Sequence, residues 1–346
     1  MDSKKFLPLE LIYELVNALP IHHRWAAQRV SSEFDNLIFE RQADLIKIIL
    51  QKANVSTAQA YITTMVQLAN ANENIVFLTE FTPTQHEFCS EAVTLGNRFV
   101  NYANTKQSIV DHSIVMTFCG RMPHVCLDVS SFSQISPQQL ADGASANVQF
   151  VGCYSGGQLL VNDLALFGGL QNSVVFCPSD AFSAERATQL AKTHNGITYI
   201  RISPYPTPAL YGGGDHDKFR IGSFINRHQS NRDKIVLVGI GAAVNLCEQA
   251  YRQLLNEKIP VTVLDMFSLK LTGEVYVPSL VSILLRVGRV VTVEEGVTPF
   301  CLPLASSILS FISEKKLQVS VRSLHTCEDG FSVDSIVAAA KAFSKR

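Results

Sequence analysis

From about residue 57 onward, short apolar runs alternate with segments of helical periodicity, and this alternation restricts the chain to an α/β architecture. The run Ile75-Val76-Phe77-Leu78 is continuous and apolar, the pattern of a parallel strand covered on both faces. Further strands are predicted over 125–128, 148–152, 173–177 and 198–202. Helices are predicted over 57–71, about 136–146, 158–168 and 182–193. In the first of these Ala58, Tyr61, Ile62, Met65 and Leu68 share a face, and Asn70 and Asn72 break its end. Ser179 and Asp180 are N-cap candidates for the last.

Pro204-Tyr205-Pro206-Thr207-Pro208 and Gly212-Gly213-Gly214-Asp215 are too rich in turn formers for an element interior and read as a linker. A second α/β unit follows, with strands over 234–239, 261–265, 289–293 and 319–324. Its helices are predicted over 243–256, 276–286, 301–314 and 333–343. The expected division is a helical module over 1–50, an α/β domain over 51–205, a linker over 206–219 and a second α/β domain over 220–346. A length of 346 residues accommodates it.

Composition narrows the function classes. Apolar residues make up 47% and charged residues 17%, a globular balance. A formal net charge of −1 gives no argument for nucleic acid or an anionic membrane as a partner. No apolar run reaches the roughly 18 residues of a membrane span. The start, Met1-Asp2-Ser3-Lys4-Lys5-Phe6-Leu7-Pro8-Leu9-Glu10, is too acidic and its apolar run too short for a signal peptide, so a cytoplasmic location is expected. The eight cysteines show no CxxC or metal-ligand spacing and read as small buried apolar residues in a reducing compartment.

Several other features have plain readings. Gly239-Ile240-Gly241 lacks the third glycine of a dinucleotide fingerprint and reads as a tight turn. His22-His23 is an adjacent pair that cannot face one ligand on a helix. His124 precedes a strand and reads equally as a cap on the pocket or as a core or rim histidine, and Asp215-His216-Asp217 reads as a solvated turn despite its metal-capable side chains.

Within the first fifty residues Leu7-Pro8, Glu10-Leu11, Leu19-Pro20, Val30-Ser31-Ser32 and Phe34 lie in a compact helical pattern. That pattern resembles an F-box, which implies docking of residues 6–40 onto a Skp1-type adaptor of a ubiquitin ligase. An amphipathic helical hairpin packed on the next domain is the other reading.

A second resemblance covers about 53–343. Gln59-Ala60-Tyr61, Arg98-Phe99, Asn162-Asp163-Leu164-Ala165-Leu166-Phe167, Phe176 with Pro178-Ser179-Asp180, Tyr199-Ile200-Arg201 with Ser203, Val263-Leu264-Asp265 with Phe267-Ser268 and Lys270, and Val291-Thr292-Val293-Glu294-Glu295 occur in order. Together they resemble the pyrimidine-binding and C-terminal domains of the transketolase family. The resemblance implies two parallel or mixed α/β sheets of thiamine-enzyme type, with thiamine diphosphate and magnesium as cofactors. It places Phe132 where an aromatic ring stacks on the cofactor's pyrimidine, and Gln107 and Tyr154 beside it. It leaves Arg201 for a substrate anion.

The departures concern chemistry. The family's glutamate that hydrogen-bonds the aminopyrimidine is replaced by Lys106, a donor only when protonated. Glu80 and Glu91 are the nearby carboxylates, and neither sits at that position. Tyr154 stands at a histidine position, and the loop that follows it in the family is shortened to Ser155-Gly156-Gly157-Gln158. Two substrate-binding arginines are replaced by Ile135 and Pro204. No Gly-Asp-Gly motif is present, so the diphosphate and its metal have no ligands in this chain, and the cofactor is not expected to bind it alone. Three functions are compatible with this. The first is a non-catalytic, transketolase-like protein that acts through a homo- or heterodimer, with a full-length transketolase as a candidate partner. The second is an active half that moves a two-carbon ketol unit between sugar phosphates once paired with another chain. The third is an F-box adaptor.

Overall fold

The computed structural model describes residues 55–82, 87–102, 106–143, 145–154, 163–271, 276–295, 302–325 and 332–344. The F-box-like segment over 6–40 and His22-His23 lie outside the described residues.

Helix α1 (Thr57–Ala71) starts where the Ser56 side chain accepts the Gln59 N–H, and its buried stripe is the predicted one, with Ala58, Tyr61, Ile62 and Met65 at 0% exposure. Each large apolar side chain so buried contributes about 1.5–3 kcal/mol. β1 (Ile75–Thr79) follows, then β2 (Phe99–Asn101), α2 (Lys106–Phe118), β3 (Met122–Asp128), α3 (Pro137–Asp142), β4 (Gln149–Cys153), α4 (Asp163–Gly168), β5 (Ser173–Phe176), α5 (Ala181–Ala191) and β6 (Ile197–Ile202). The six strands form one parallel sheet in the order β2-β1-β3-β4-β6-β5.

Alternate residues build the two sides of this sheet. Phe77, Cys126, Val151 and Ile200 pack with α1 residues and with Ala187 and Ala191 of α5. Leu78, Val125, Leu127, Phe150 and Tyr199 face the other way, onto Ile109 and Val110 of α2 and Leu164 and Phe167 of α4.

The second sheet comprises β7 (Ile225–His228), β8 (Val236–Gly239), β9 (Thr262–Asp265), β10 (Arg289–Glu294) and β11 (Ser320–His325), in the order β11-β10-β8-β9-β7. All pairings are parallel except the edge strand β7, which runs antiparallel to β9. Helices α6 (Ala243–Asn256) and α9 (Val333–Ser344) cover one face, packing with Leu237, Val263, Val291 and Val293. Helices α7 (Tyr276–Val287) and α8 (Pro303–Glu314) contribute Leu280, Ile283, Leu284, Leu304 and Ile308 to the other. The fold is therefore two α/β sheets, one parallel and one mixed, as the sequence predicts. Among the described residues no helix is long and apolar enough to cross a membrane.

One apolar cluster runs from the first sheet into the second, from Val76 through Phe132 and Tyr199 to Val238, Leu264 and Ile308. The segment after β9 lies along β5: Cys177 N–H donates to the Phe267 carbonyl at 3.0 Å, and Leu269 N–H to the Val175 carbonyl at 3.0 Å. Behind this seam Asp265 is fully buried, and its Oδ2 accepts hydrogen bonds from Ser179 Oγ at 2.6 Å and Tyr211 Oη at 2.7 Å. The Gly239-Ile240-Gly241 turn meets the same seam. Gly241 has φ +58°, and a Cβ there would lie 2.7 Å from Cys177 Sγ, so close packing explains the small residue.

Several details differ from the sequence reading. The stretch after β6 is packed, with Tyr211 and Phe219 buried and Asp180 accepting the N–H groups of Leu210 and Tyr211. Asp215 is not in a solvated turn. It is buried, accepts the Gly212 N–H at 3.0 Å and pairs with Lys218 at 2.7 Å, because a 3-10 turn over Gly213–Lys218 folds it inward. Helix α3 is shorter than predicted, ending at Asp142 with Gly143 as its C-cap. Cys119 is exposed, whereas Cys89, Cys126, Cys153, Cys177 and Cys247 are buried as expected.

Candidate functional site

In a parallel sheet the loops beyond the carboxyl ends of the strands converge, and ligands bind there. The C-terminal ends of β1, β3, β4 and β6 bring together Glu80, Asp128, Tyr154 and Arg201, with α4 supplying Asp163 and the end of β10 supplying Glu295.

The centre is an ion pair. Arg201 Nε donates to Asp163 Oδ2 at 2.8 Å, Arg201 Nη2 donates to Asp163 Oδ1, and Tyr199 Oη donates to Asp163 Oδ2. The side chains of Arg201 and Asp163 are 3% and 0% exposed, so neither charge has solvent to fall back on. Tyr199 and Arg201, two apart on β6, point to the same face, and Asp163 meets them as the first residue of α4. Burial pushes the Tyr199 phenol well above its ordinary value, and the Asp163 charge pushes the same way. For Arg201 burial works against the charge, but the Asp163 carboxylate outweighs it and the guanidinium is held more firmly protonated than usual. The close fit requires Gly152 on β4, where a Cβ would lie 1.9 Å from Tyr199 Oη.

Two further groups flank the pair. The Arg201 guanidinium carbon lies 5.8 Å from the centre of the Tyr154 ring, and Glu295 Oε2 is 4.0 Å from Arg201 Nη1. Burial raises the Glu295 carboxyl, and Arg201 acts in the opposite direction. Next to it, Glu294 accepts the N–H groups of Leu304 and Ala305 at 2.9 Å each and so fixes the start of α8.

Phe132 belongs to the aromatic floor beneath this cluster. It is 1% exposed and meets Phe167 and Tyr199 edge-on, with centroids 5.2 and 5.6 Å away, while Phe167 and Tyr199 stack at 4.1 Å. Lys106 and Gln107 are the first two residues of α2. The two carboxylates considered for the role of the family's glutamate are both engaged elsewhere. Glu80 Oε1 accepts the Asp128 N–H at 2.6 Å and Ser131 Oγ at 2.7 Å. Glu91 Oε2 accepts Thr63 Oγ1 at 2.6 Å on the α1 side. His124 is a core residue inside β3, with Nδ1 3.1 Å from Tyr61 Oη, and burial lowers its pKa to about 3.

Thiamine diphosphate fits these residues poorly. Phe132 offers no open face to a flat ring in this packing. Asp163, Tyr199 and Glu295 are the members of the cluster that sequence reasoning assigned no role. The signal for them was Arg201 itself, since an arginine inside a buried strand requires an acid beside it.

Residues 225–334 match the family described as Transketolase, C-terminal domain. The chain is 29% identical over 254 residues to transketolase-like protein 2 of Homo sapiens, covering 70% of this chain and 40% of that protein. It is 26% identical over 253 residues to the transketolase of Homo sapiens, with the same coverage. The chain thus spans about 40% of the length of the curated relatives it matches. Among solved structures, "Split gene transketolase, inactive beta4 tetramer" superposes with a TM-score of 0.71 at 23% identity, covering 84% of this chain and 99% of that one. The transketolase from Leishmania mexicana superposes with a TM-score of 0.68 at 16% identity, covering 85% and 46%. Residues 225–334 are thus similar to the C-terminal domain of transketolases, and the described fold is one that solved transketolases share.

Proposed function

We propose that this chain is a transketolase-like half that does not catalyse ketol transfer alone and acts by associating with another chain, either a second copy or a full-length transketolase. The observation that carries this reading is the self-satisfied site. Arg201 is held by Asp163, Phe132 is packed as core, and the nearby carboxylates Glu80 and Glu91 are engaged with protein partners. Lys106, at the family's glutamate position, adds to it, since it cannot share a proton with a ring nitrogen as a carboxyl does. The split-gene transketolase that this chain matches over 99% of its length is described as an inactive tetramer, which fits a half-length chain that assembles without activity.

The test is calorimetric titration of thiamine diphosphate with magnesium into the purified chain and into its mixture with a full-length transketolase, with sedimentation of both samples. The expected result is no cofactor binding by the chain, no sites in the mixture beyond the partner's own, and an assembled species in at least one sample. Cofactor binding by the chain alone, or extra sites in the mixture, would replace this reading with that of an active half. A strictly monomeric chain in both samples would remove the proposed association.

A further inference from the structure

At the opposite end of the first sheet, beside its open edge, lies a cavity of about 610 Å³ lined by Glu73, Val76, Asn97, Arg98, Val100, Met116 and Arg121. Its size is that of a small-molecule site. The floor is apolar, since Val76 is a core residue of β1 and Val100 and Met116 pack against the same cluster. The rim is polar and carries two guanidiniums.

Both guanidiniums are fixed by the backbone through one terminal nitrogen. Arg98 Nη1 donates to the carbonyls of Ala69 at 2.8 Å and of Asn72 and Ile75 at 3.4 Å. Arg121 Nη1 donates to the Glu73 carbonyl at 3.1 Å. Those acceptors are neutral, so neither positive charge is cancelled by its anchor. A guanidinium has five N–H groups in a planar fork. Among the described residues, the Nε and Nη2 groups of Arg98 and Arg121 have no protein acceptor. The charged lining is two arginines against the single carboxylate of Glu73, so its sum is positive.

We propose that this cavity binds an amphipathic organic anion, with a carboxylate, sulfonate or phosphate group on the Arg98 and Arg121 forks and an apolar body on Val76, Val100 and Met116. Guanidinium forks match the paired oxygens of such groups, and the rigid anchors limit the entropy lost on binding. The site stands apart from the Arg201 cluster, at the amino ends of β1 and β3, and it does not depend on the proposed association.

The test is a fluorescence titration of the full chain with 1-anilinonaphthalene-8-sulfonate, which has an apolar ring body and one sulfonate. One saturable site per chain is expected, displaced by octanoate and not by octylamine. Arg121→Glu should weaken it at least tenfold, and Arg121→Lys less, because charge is kept while the fork is lost. Met116→Trp, which fills the floor, should abolish it. Urea unfolding of each variant checks the fold. Should Met116→Trp not fold, the Arg121 pair still decides. Affinity unchanged in Arg121→Glu, equal displacement by octylamine, or no saturable site would overturn the proposal.

Discussion

Arg201 and Asp163 form a forked ion pair with almost no solvent contact, 38 residues apart in sequence and joined at the carboxyl end of β6. The pair organises the candidate site from within. Such a pair contributes little beyond what two apolar residues would, but losing one partner leaves a buried charge. Asp163→Asn is therefore expected to destabilise the chain by about 3–5 kcal/mol, read as a lower urea midpoint with an unchanged slope. Adding Arg201→Met should restore at least half of that loss, because the buried guanidinium that Asp163→Asn leaves without its carboxylate is then gone, while Glu295 keeps some solvent contact. An additive double variant would refute the pairing.

The seam between the sheets should give stability an unusual pH dependence. Asp265 is buried, faces Ser179, Tyr211, Arg227 and Asp180, and has its pKa raised by burial from 3.8 to about 7. Between about pH 4 and 7 the folded state holds a proton that the unfolded chain has lost. This contribution is complete below pH 4 and is lost as pH rises through 7. Relative to the native chain, Asp265→Asn should gain up to about 1.4 kcal/mol per pH unit across that window and then level off. Urea midpoints measured from pH 4 to 8 will show it, and parallel curves for the two proteins would argue against it.

His124 has the opposite sign. Its pKa falls by burial from 6.5 to about 3, so between those values the unfolded chain binds the extra proton, and stability is lost as pH falls from 6.5. Replacing it, as in His124→Gln, should remove that acid sensitivity, with the difference curve sloping against that of Asp265→Asn. Equal slopes for the two variants would contradict both assignments.

Gly241 should tolerate no side chain. Its φ of +58° and the 2.7 Å approach of a Cβ to Cys177 Sγ together predict a loss of about 2–3 kcal/mol for Gly241→Ala. Cys177→Ala in the same chain should return the steric part and leave the backbone part, which thermal unfolding can separate.

Lys106→Glu restores the carboxyl of the family's pattern in a chain whose sequence carries no Gly-Asp-Gly motif. On the proposed reading this variant is expected to show no ketol transfer alone, and none beyond the partner's own rate when mixed with full-length transketolase. A gain in rate would return the active half to consideration.

Most of the architecture was legible because it rests on apolar periodicity. The strands at 75–79, 149–153 and 197–202 and the helices at 57–71 and 243–256 stand within a residue or two of the places that the sequence predicts. Three elements were not legible, each for a physical reason. β2 has three residues, too few for any periodicity to show. β7 reads Ile225-Asn226-Arg227-His228 and is polar because an antiparallel edge strand needs little apolar surface, and Arg227 and His228 instead hold Glu248 at 2.7 and 2.8 Å. The stretch 206–219 hides Tyr211 and Phe219 among prolines and glycines, so its composition suggests a solvated linker while its aromatic residues build a seam. At the site, Arg201 and Asp163 were both visible as family-like residues, but their pairing depends on a register between β6 and α4 that single-sequence patterns do not carry.

The contact of β5 with the segment after β9 bears on how the chain is made. β5 is the edge strand of the first sheet, and the backbone groups of Val175 and Cys177 find partners in Phe267 and Leu269. A chain emerging from the ribosome completes its first sheet long before those residues are synthesised. During that interval β5 is an uncapped edge, the kind of surface that recruits strands from neighbouring nascent chains. Polysomal crowding or a pause in translation between 205 and 265 is then the moment at which this protein is most exposed to misassembly.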